Sequence, residues 1–396
     1  MKIKQLDVKG FRSLKDISWQ PGDLNVVIGQ NGTGKSNLLR MLELISASAQ
    51  GQLSKYIESA GGINAILWDG VASSISFCLK VKAGKSPIDW QENYEVDITD
   101  SFIDMPQVER ELWLSNRKKF NSKEPYSATV IDRSSKQTLF NGEQVSPTDT
   151  VSSQETLLSL INSLSFEAKR PGESYAASRF RERLAGITVY HDLDVGQNSR
   201  IRQSAVPSFE HKIERDGQNL VPVLHTLYTG DREFKRNVDS AMHAAFGGDY
   251  EEIVFPPAAD RRIQFRVRWK SLKREQSAAD LSDGTLRFLL LLTALITPEP
   301  PMVIAIDEPE TGLHPAMLPI IAEFAVEAAA RTQIVFTTHS PQFLDAFTGA
   351  KPTTTVAKWE NGETTLHTLE GEDLAYWLED YSLGFLFKSG QLEAMT

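Results

Sequence analysis

Residues 29–36 read GQNGTGKS, directly after the apolar run Leu24 to Ile28. The string fits the phosphate-loop pattern G-x-x-x-x-G-K-[ST] at every required position: Gly29, Gly34, Lys35 and Ser36. Asn37 to Ser46 then resumes with helical spacing through Leu38, Leu39, Leu42 and Ile45. Strand, glycine loop and helix in that order predict a cradle for phosphate oxygens. Glycines let successive backbone N–H groups turn inward, and the helix start adds a favourable dipole for an anion. Lys35 is expected to reach the β- and γ-phosphates, and Ser36 to place its hydroxyl on magnesium. Gln30, Asn31, Gly32, Thr33 and Asn37 complete the expected nucleotide-binding loop.

Such a loop holds phosphates but hydrolyses them poorly without a carboxylate to handle magnesium and water. Residues 302–308, MVIAIDE, supply one. An apolar strand is buried, so two carboxylates at its tip must be solvated or metal-bound. Asp307 is expected to hold magnesium, and Glu308 to orient or deprotonate the attacking water. His339 follows a second buried run in FTTHSP. Ligands of open α/β sheets sit at strand C-termini, so His339 is expected beside the γ-phosphate as a catalytic sensor. In LSDGTLRFL, residues 281–289, Ser282 and Gly284 precede an apolar helix whose first amides can meet an anion. The implied cofactors are ATP and Mg²⁺.

Composition narrows the class. A chain of 396 residues can bury one large core or two smaller ones, and 41% apolar with 24% charged residues suits a soluble globular protein. The single cysteine, Cys78, makes no internal disulfide and suits a reducing cytosol. MKIKQLDVKGF lacks the apolar core of a signal peptide. The apolar stretch Phe288 to Ile296 falls far below the ~18 residues of a membrane span. A cytoplasmic protein without membrane attachment is expected. A net charge of −10 argues against a surface that binds nucleic acid everywhere.

Along the chain, Ile3, Leu6 and Val8 predict a first strand, FRSLKDISW leads to a second segment, and residues 73–81 and 93–99 alternate as short strands. From about 100 to 175 the chain is polar with weak periodicity and reads as a variable lobe or long loops. Residues 155–165, 215–246, 285–296 and 315–330 read as helices. EEIVF and RRIQFRVRWK predict a hairpin across PPAAD, and a second hairpin turns at Asn361-Gly362. In RIQFRVRWK, Ile263, Phe265, Val267 and Trp269 alternate with Arg262, Gln264, Arg266, Arg268 and Lys270. One strand face is therefore apolar and the other basic, a candidate track for DNA phosphates. Lys169, Arg170, Arg179, Arg181 and Arg183 form a second basic cluster, read as a helix surface. No internal repeat or sustained heptad pattern is present.

The order GQNGTGKS, LSDG, MVIAIDEPETGLHP and TTHSP resembles the ABC-type ATPases of the RecF, SMC and OLD group. FRSL after the first strand is similar to that group's N-terminal signature. DEPETGLHP, SDGTLR and GITVYHDL at 186–193 look like the single-chain RecF-like AAA_21-type AAA family ATPases. The resemblance covers both ends strongly and the middle loosely. It implies an α/β P-loop NTPase of the ABC-ATPase head type. Such a head has a mixed central sheet with flanking helices, an antiparallel β subdomain and an inserted lobe. On this division residues 1–100 are the N-terminal half of the head, 101–250 the lobe, and 251–396 the C-terminal half. It further implies a homodimer closed around ATP, in which Ser282 and Gly284 meet the γ-phosphate in trans. Thr311 to His314 would line the dimer seam, and Arg12 would lie near the phosphates or the loop.

Departures refine the reading. Transporter subunits carry glycine where this chain has Asp283 and aspartate where it has His314, which counts against a transporter. SMC-type coiled coils and hook cysteines are absent, and the segment after His339 lacks a clustered acidic metal-ligand pattern, so nuclease activity in this chain is not expected. The expected function is Mg-dependent ATP hydrolysis, dimer-gated, in DNA repair or phage defence. The competing reading is an ATP-driven dimerisation switch that clamps DNA or licenses a separate effector such as a nuclease, with turnover only for reset.

Overall fold

In the computed structural model, Lys2–Phe11 (β1) buries Ile3, Leu6 and Val8 and leaves Lys4 and Lys9 exposed; a register shift between Ile3 and Gln5 resets the alternation of a half-buried strand. The structure describes residues 1–82, 91–101, 105–118, 125–145, 152–161, 171–347, 349–369, 378 and 381–396. These fall into two units. The first comprises Met1–Thr188, Pro301–Val303 and Thr353–Leu369, and the second Val189–Pro300, Ile304–Pro352 and Glu370–Thr396.

In the first unit β1 is the hub of an eight-stranded sheet. Leu14–Trp19 (β2) pairs on one side, with Val8 opposite Ile17, and Ser74–Lys82 (β4) on the other, with Val8 opposite Phe77. Gln91–Asp100 (β5), Pro106–Lys118 (β6), Pro125–Arg133 (β7), Thr138–Phe140 (β8) and Glu143–Gln144 (β9) extend it by antiparallel neighbours. The polar stretch expected to be loops thus carries two long strands. The pattern of β6 is blurred because its buried positions include Glu111 and Ser115 beside Val108 and Trp113. The buried carboxylates have partners: Glu111 accepts the Leu158 amide at 2.9 Å and the Tyr94 hydroxyl at 2.9 Å, and Glu92 accepts the Trp113 indole N–H at 2.7 Å. Phe180, from the helix Pro171–Ala185, stacks on Trp113 at 4.4 Å between ring centroids. Such a pair contributes ~0.5–1.5 kcal/mol beyond area burial.

The same unit holds Leu24–Ile28 (β3), buried at all five positions, which runs parallel to Thr353–Glu360 (β16). Glu363–Leu369 (β17) returns antiparallel to β16 across Asn361-Gly362, as the sequence predicts. Both turn residues have positive φ, 51° and 85°, which suits the tight two-residue turn of a hairpin. Lys35–Gln50 (α1) leaves from the end of β3.

Thr188–Tyr190 (β10), Val303–Asp307 (β14) and Gln333–Thr338 (β15), which belong to the second unit except for the first residues of β10 and β14, lie side by side in that order. Asp283–Ile296 (α2) is buried from Thr285 to Ile296, and Leu318–Ala329 (α3) packs near it. Tyr250–Val254 (β11), Arg266–Trp269 (β12) and Gln276–Ser277 (β13) form a small antiparallel sheet, so the expected hairpin forms with Ile253 opposite Val267. The predicted helix over 215–246 is two helices, Leu220–Gly230 and Arg232–Phe246, separated at Asp231, whose carboxylate caps the second. The helix expected over 155–165 spans Leu157–Leu160, and 162–165 lie outside the described residues, as do Lys169 and Arg170. No described helix is long and apolar enough to cross a membrane.

Candidate functional site

The phosphate loop in the first unit has the geometry its glycines predict. Gly34 sits at φ 91°, where a Cβ would lie 2.0 Å from Thr364 Oγ1 and 2.6 Å from Ser13 Oγ. Gly29, at φ 149°, would drive a Cβ within 2.3 Å of the Ala357 carbonyl. Only glycine fits either place. α1 starts at Lys35 with no side-chain cap and no acidic residue in its first turn, so its leading amides suit an anion. The Lys35 ammonium, 6% exposed as a residue, folds back over the loop and donates to the carbonyls of Gly29 at 2.8 Å and Gln30 at 3.0 Å. Thr33 donates its hydroxyl to Gln30 O at 2.9 Å. Gln30 and Asn31 are exposed at the rim, and Ser36 is half-buried beside Lys35.

The FRSL turn reaches this loop. Ser13 Oγ accepts from the Asn37 side-chain amide at 2.7 Å. Arg12, at φ 49°, lies near Arg40, Glu43 and Tyr56, alongside α1. Burial, with Arg40 second, lowers its guanidinium below the ordinary value, and its Nε is buried without a hydrogen-bond partner.

In the second unit the acidic pair is held from several sides. Asp307 Oδ1 accepts the Thr337 hydroxyl, and Oδ2 lies 3.1 Å from His191 Nδ1. A carboxylate oxygen only accepts, so this contact places the proton on His191 Nδ1. Glu308 stands at φ 46°, which costs of order 1–3 kcal/mol for a residue with a Cβ. Its amide donates to Thr337 O at 3.1 Å, and its Oε1 lies 3.0 Å from His339 Nδ1. The sequence-predicted Asp307, Glu308 and His339 are thus brought together. His191, Asp192, Asp194, Arg287, Asp307, Glu308 and Thr311 line a cleft of about 360 Å³.

Sequence reasoning missed three members of this group. His191 lies inside GITVYHDL, and no spacing links it to Asp307. Thr337 was legible only as the first threonine of the TTHS string. Arg287, in SDGTLR, donates toward the Glu308 carbonyl at 3.4 Å. Burial lowers the Arg287 guanidinium, while Glu310, Asp192 and Glu308 oppose that shift. Burial also raises the Glu310 carboxyl, although the Thr338 hydroxyl donates to it.

Ser282 and Asp283 are exposed at the start of α2, where Ser282 Oγ accepts the Thr285 amide at 3.1 Å. A Cβ on Gly284 would lie 2.8 Å from Gly312 O, so the signature start abuts the Thr311–His314 segment. Behind it, buried Arg202 donates to the carbonyls of Val195, Ala278 and Leu281 and pairs with Asp283.

The basic strand alternates as expected, with Phe265, Val267 and Trp269 buried. Its charges already have partners. Arg268 pairs with Glu252 and, at 2.7 Å, with Glu275. Arg266 binds Gln264 and lies 3.7 Å from Glu275. Arg262 donates to Ser204 O and Lys270 to Gly248 O. A DNA phosphate would compete with these groups for the same donors.

Three comparisons bear on this geometry. A 43-residue stretch is 44% identical to the OLD nuclease of Thermus scotoductus (strain ATCC 700910 / SA-01), covering 11% of this chain and 8% of that protein. The chain therefore spans under a tenth of the length of the curated relative it matches. The fold matches the SMC head solved with the C-winged helix domain of ScpA, at TM-score 0.55 and 14% identity, over 95% of this chain and 100% of that one. The SMC head domain from Thermotoga maritima aligns at TM-score 0.43 and 16% identity, over 94% and 100% of the two chains. At these identities the first likeness shows the α/β fold of an SMC-type P-loop ATPase head. A family profile described as "AAA domain, putative AbiEii toxin, Type IV TA system" matches residues 24–345, most of the chain. The chain belongs to this AAA_21 family of AAA-domain proteins.

Proposed function

We propose that the protein hydrolyses ATP to ADP and phosphate, with the phosphate loop and the Asp307–Glu308 pair acting on one nucleotide. The observation that carries the hydrolytic reading beyond nucleotide binding is the Glu308–His339 pair. A strained glutamate at a strand end, with a histidine 3.0 Å away, has the placement of a group that handles water.

The residues present fit magnesium. Ser36 offers a hydroxyl beside the loop and Asp307 a carboxylate at the end of β14, the hard oxygen donors that magnesium takes. Ser36 and Asp307 would hold it, and when bound it would neutralise charge on the phosphates. The other roles belong to the chain. Lys35 exchanges the Gly29 and Gln30 carbonyls for phosphate oxygens. The uncapped start of α1 receives the same phosphates. Glu308 orients the water for in-line attack and accepts its proton. His339 holds the Glu308 carboxylate and senses the γ-phosphate. Catalysis on this scheme is positioning and charge stabilisation.

The exposed Ser282 and Asp283, braced by Arg202, fit a surface offered to the nucleotide of a second copy, so the working form is an ATP-closed homodimer. A setting in DNA repair or phage defence, with DNA or an effector nuclease as partner, is supported by the SMC-like fold and the short OLD nuclease match. Phosphate release measured against protein concentration, with and without duplex and single-stranded DNA, tests the scheme. Turnover per chain should rise steeply with concentration. A rate independent of concentration at all levels would remove the dimer. If Glu308→Gln traps an ATP-bound dimer and keeps the biological output, the switch reading replaces the hydrolytic one.

A further inference from the structure

The β16–β17 hairpin grips the phosphate loop through a hydroxyl relay whose direction follows from valence. Thr364 is buried, and its Oγ1 lies 2.9 Å from the Thr33 carbonyl and 2.7 Å from Ser13 Oγ. A hydroxyl has one hydrogen, and a carbonyl only accepts. Thr364 therefore donates to Thr33, Ser13 donates to Thr364, and the Asn37 amide donates to Ser13. The Thr364 amide adds a bond to Ser13 O at 2.8 Å. Together with the close fit at Gly34, these contacts fix the hairpin against the loop.

Trp359 stands directly opposite Thr364 in the register. Opposed residues of an antiparallel pair share a face, with Cβ atoms ~4.5–5.5 Å apart. The indole therefore rides on the face that Thr364 turns to the loop. It is 53% exposed, while Val356 and Ala357 of the same strand are buried. The tight Asn361-Gly362 turn holds this register close to the hairpin tip. A large flat apolar surface is thus held beside a phosphate cradle.

We propose that Trp359 is the base-stacking residue of this chain. A purine nucleoside triphosphate seated in the phosphate loop lays its base on the exposed indole, and Thr364 is the positioning residue for the hairpin that carries it. The inference rests on the nucleotide reading of the loop. Stacking tolerates any base because every base has a π-face, so ATP and GTP should bind within a few-fold of each other.

Calorimetric titration with Mg-ATP and with inorganic tripolyphosphate separates base from phosphate recognition. Trp359→Ala should weaken ATP about tenfold and leave tripolyphosphate unchanged, while Trp359→Phe retains most of the ATP affinity. Thr364→Val should weaken both ligands and Thr364→Ser should restore them. Unchanged ATP affinity in Trp359→Ala, or equal losses for ATP and tripolyphosphate, would overturn the stacking role and leave a singly exposed tryptophan. Unchanged affinities in Thr364→Val would overturn the positioning role. If Lys35→Ala binds both ligands normally, the loop reading itself fails, an outcome distinct from either.

Discussion

Glu308→Gln should stop turnover while leaving nucleotide bound. The substitution keeps side-chain length, and the amide can still meet His339, whose ring nitrogen lies 3.0 Å from the carboxylate. Both side chains are well exposed, at 38% and 45%, so the lost ion pair should change stability by under ~1 kcal/mol. The backbone at φ 46° strains glutamine as it strains glutamate, so that cost cancels. What disappears is the basic carboxylate facing the water. General-base assistance contributes ~10²–10⁴-fold, or about 2.7–5.4 kcal/mol of barrier at ~1.36 kcal/mol per decade. Steady-state phosphate release at saturating Mg-ATP should fall by about that factor, with the ATP Kd from equilibrium titration within a few-fold of wild type. Wild-type turnover in the variant would refute the role of Glu308. A parallel collapse of ATP binding would show that the residue is structural.

Lys35→Ala removes the ammonium that spans Gly29 O and Gln30 O. At ~1.5–3 kcal/mol per charge-assisted hydrogen bond, ATP affinity should fall about a hundredfold by titration, and a normal Kd would contradict the loop assignment. Arg202→Met strips the donors from the Val195, Ala278 and Leu281 carbonyls and from Asp283. Asp283 is exposed, so the cost comes from the stranded carbonyls, and urea unfolding should show a loss of about 2–4 kcal/mol, whereas a loss below ~1 kcal/mol would mean the clamp is dispensable. Arg266→Glu with Arg268→Glu sets new acids against Glu252 and Glu275, so thermal stability should drop, while the salt slope of DNA binding should barely move. A slope reduced by about two would instead mark the strand as a phosphate track. The Cys78 thiol is pushed up to about 11 by burial first, then by Glu95 and Asp7. A raised acid stays protonated, so iodoacetamide labelling should be slow near pH 8 and climb as pH rises toward 11, and fast labelling at pH 8 would contradict the burial.

The ends of the chain were legible because their signals are local. GQNGTGKS names a backbone shape, and MVIAIDE and QIVFTT announce buried strands through unbroken apolar runs. The alternation in RIQFRVRWK also predicts its buried face. The same window conceals the carboxylates that neutralise its arginines, since Glu252 arrives by cross-strand pairing and Glu275 after the next turn. β6 escaped because a buried glutamate, Glu111, satisfied by a backbone amide and a tyrosine, interrupts the apolar face as a loop residue would. The His191–Asp307 and Thr364–Thr33 contacts join residues with sequence separations of 116 and 331, and no periodicity reports a pairing at that range.

A crystal structure of the Glu308→Gln variant with Mg-ATP tests the central claim most directly. It should show one triphosphate with Lys35 on its β- and γ-oxygens and a single magnesium shared by Ser36 and Asp307. A nucleotide bound at the loop, with its metal out of reach of Asp307 and the Glu308 position turned away from the γ-phosphate, would contradict it.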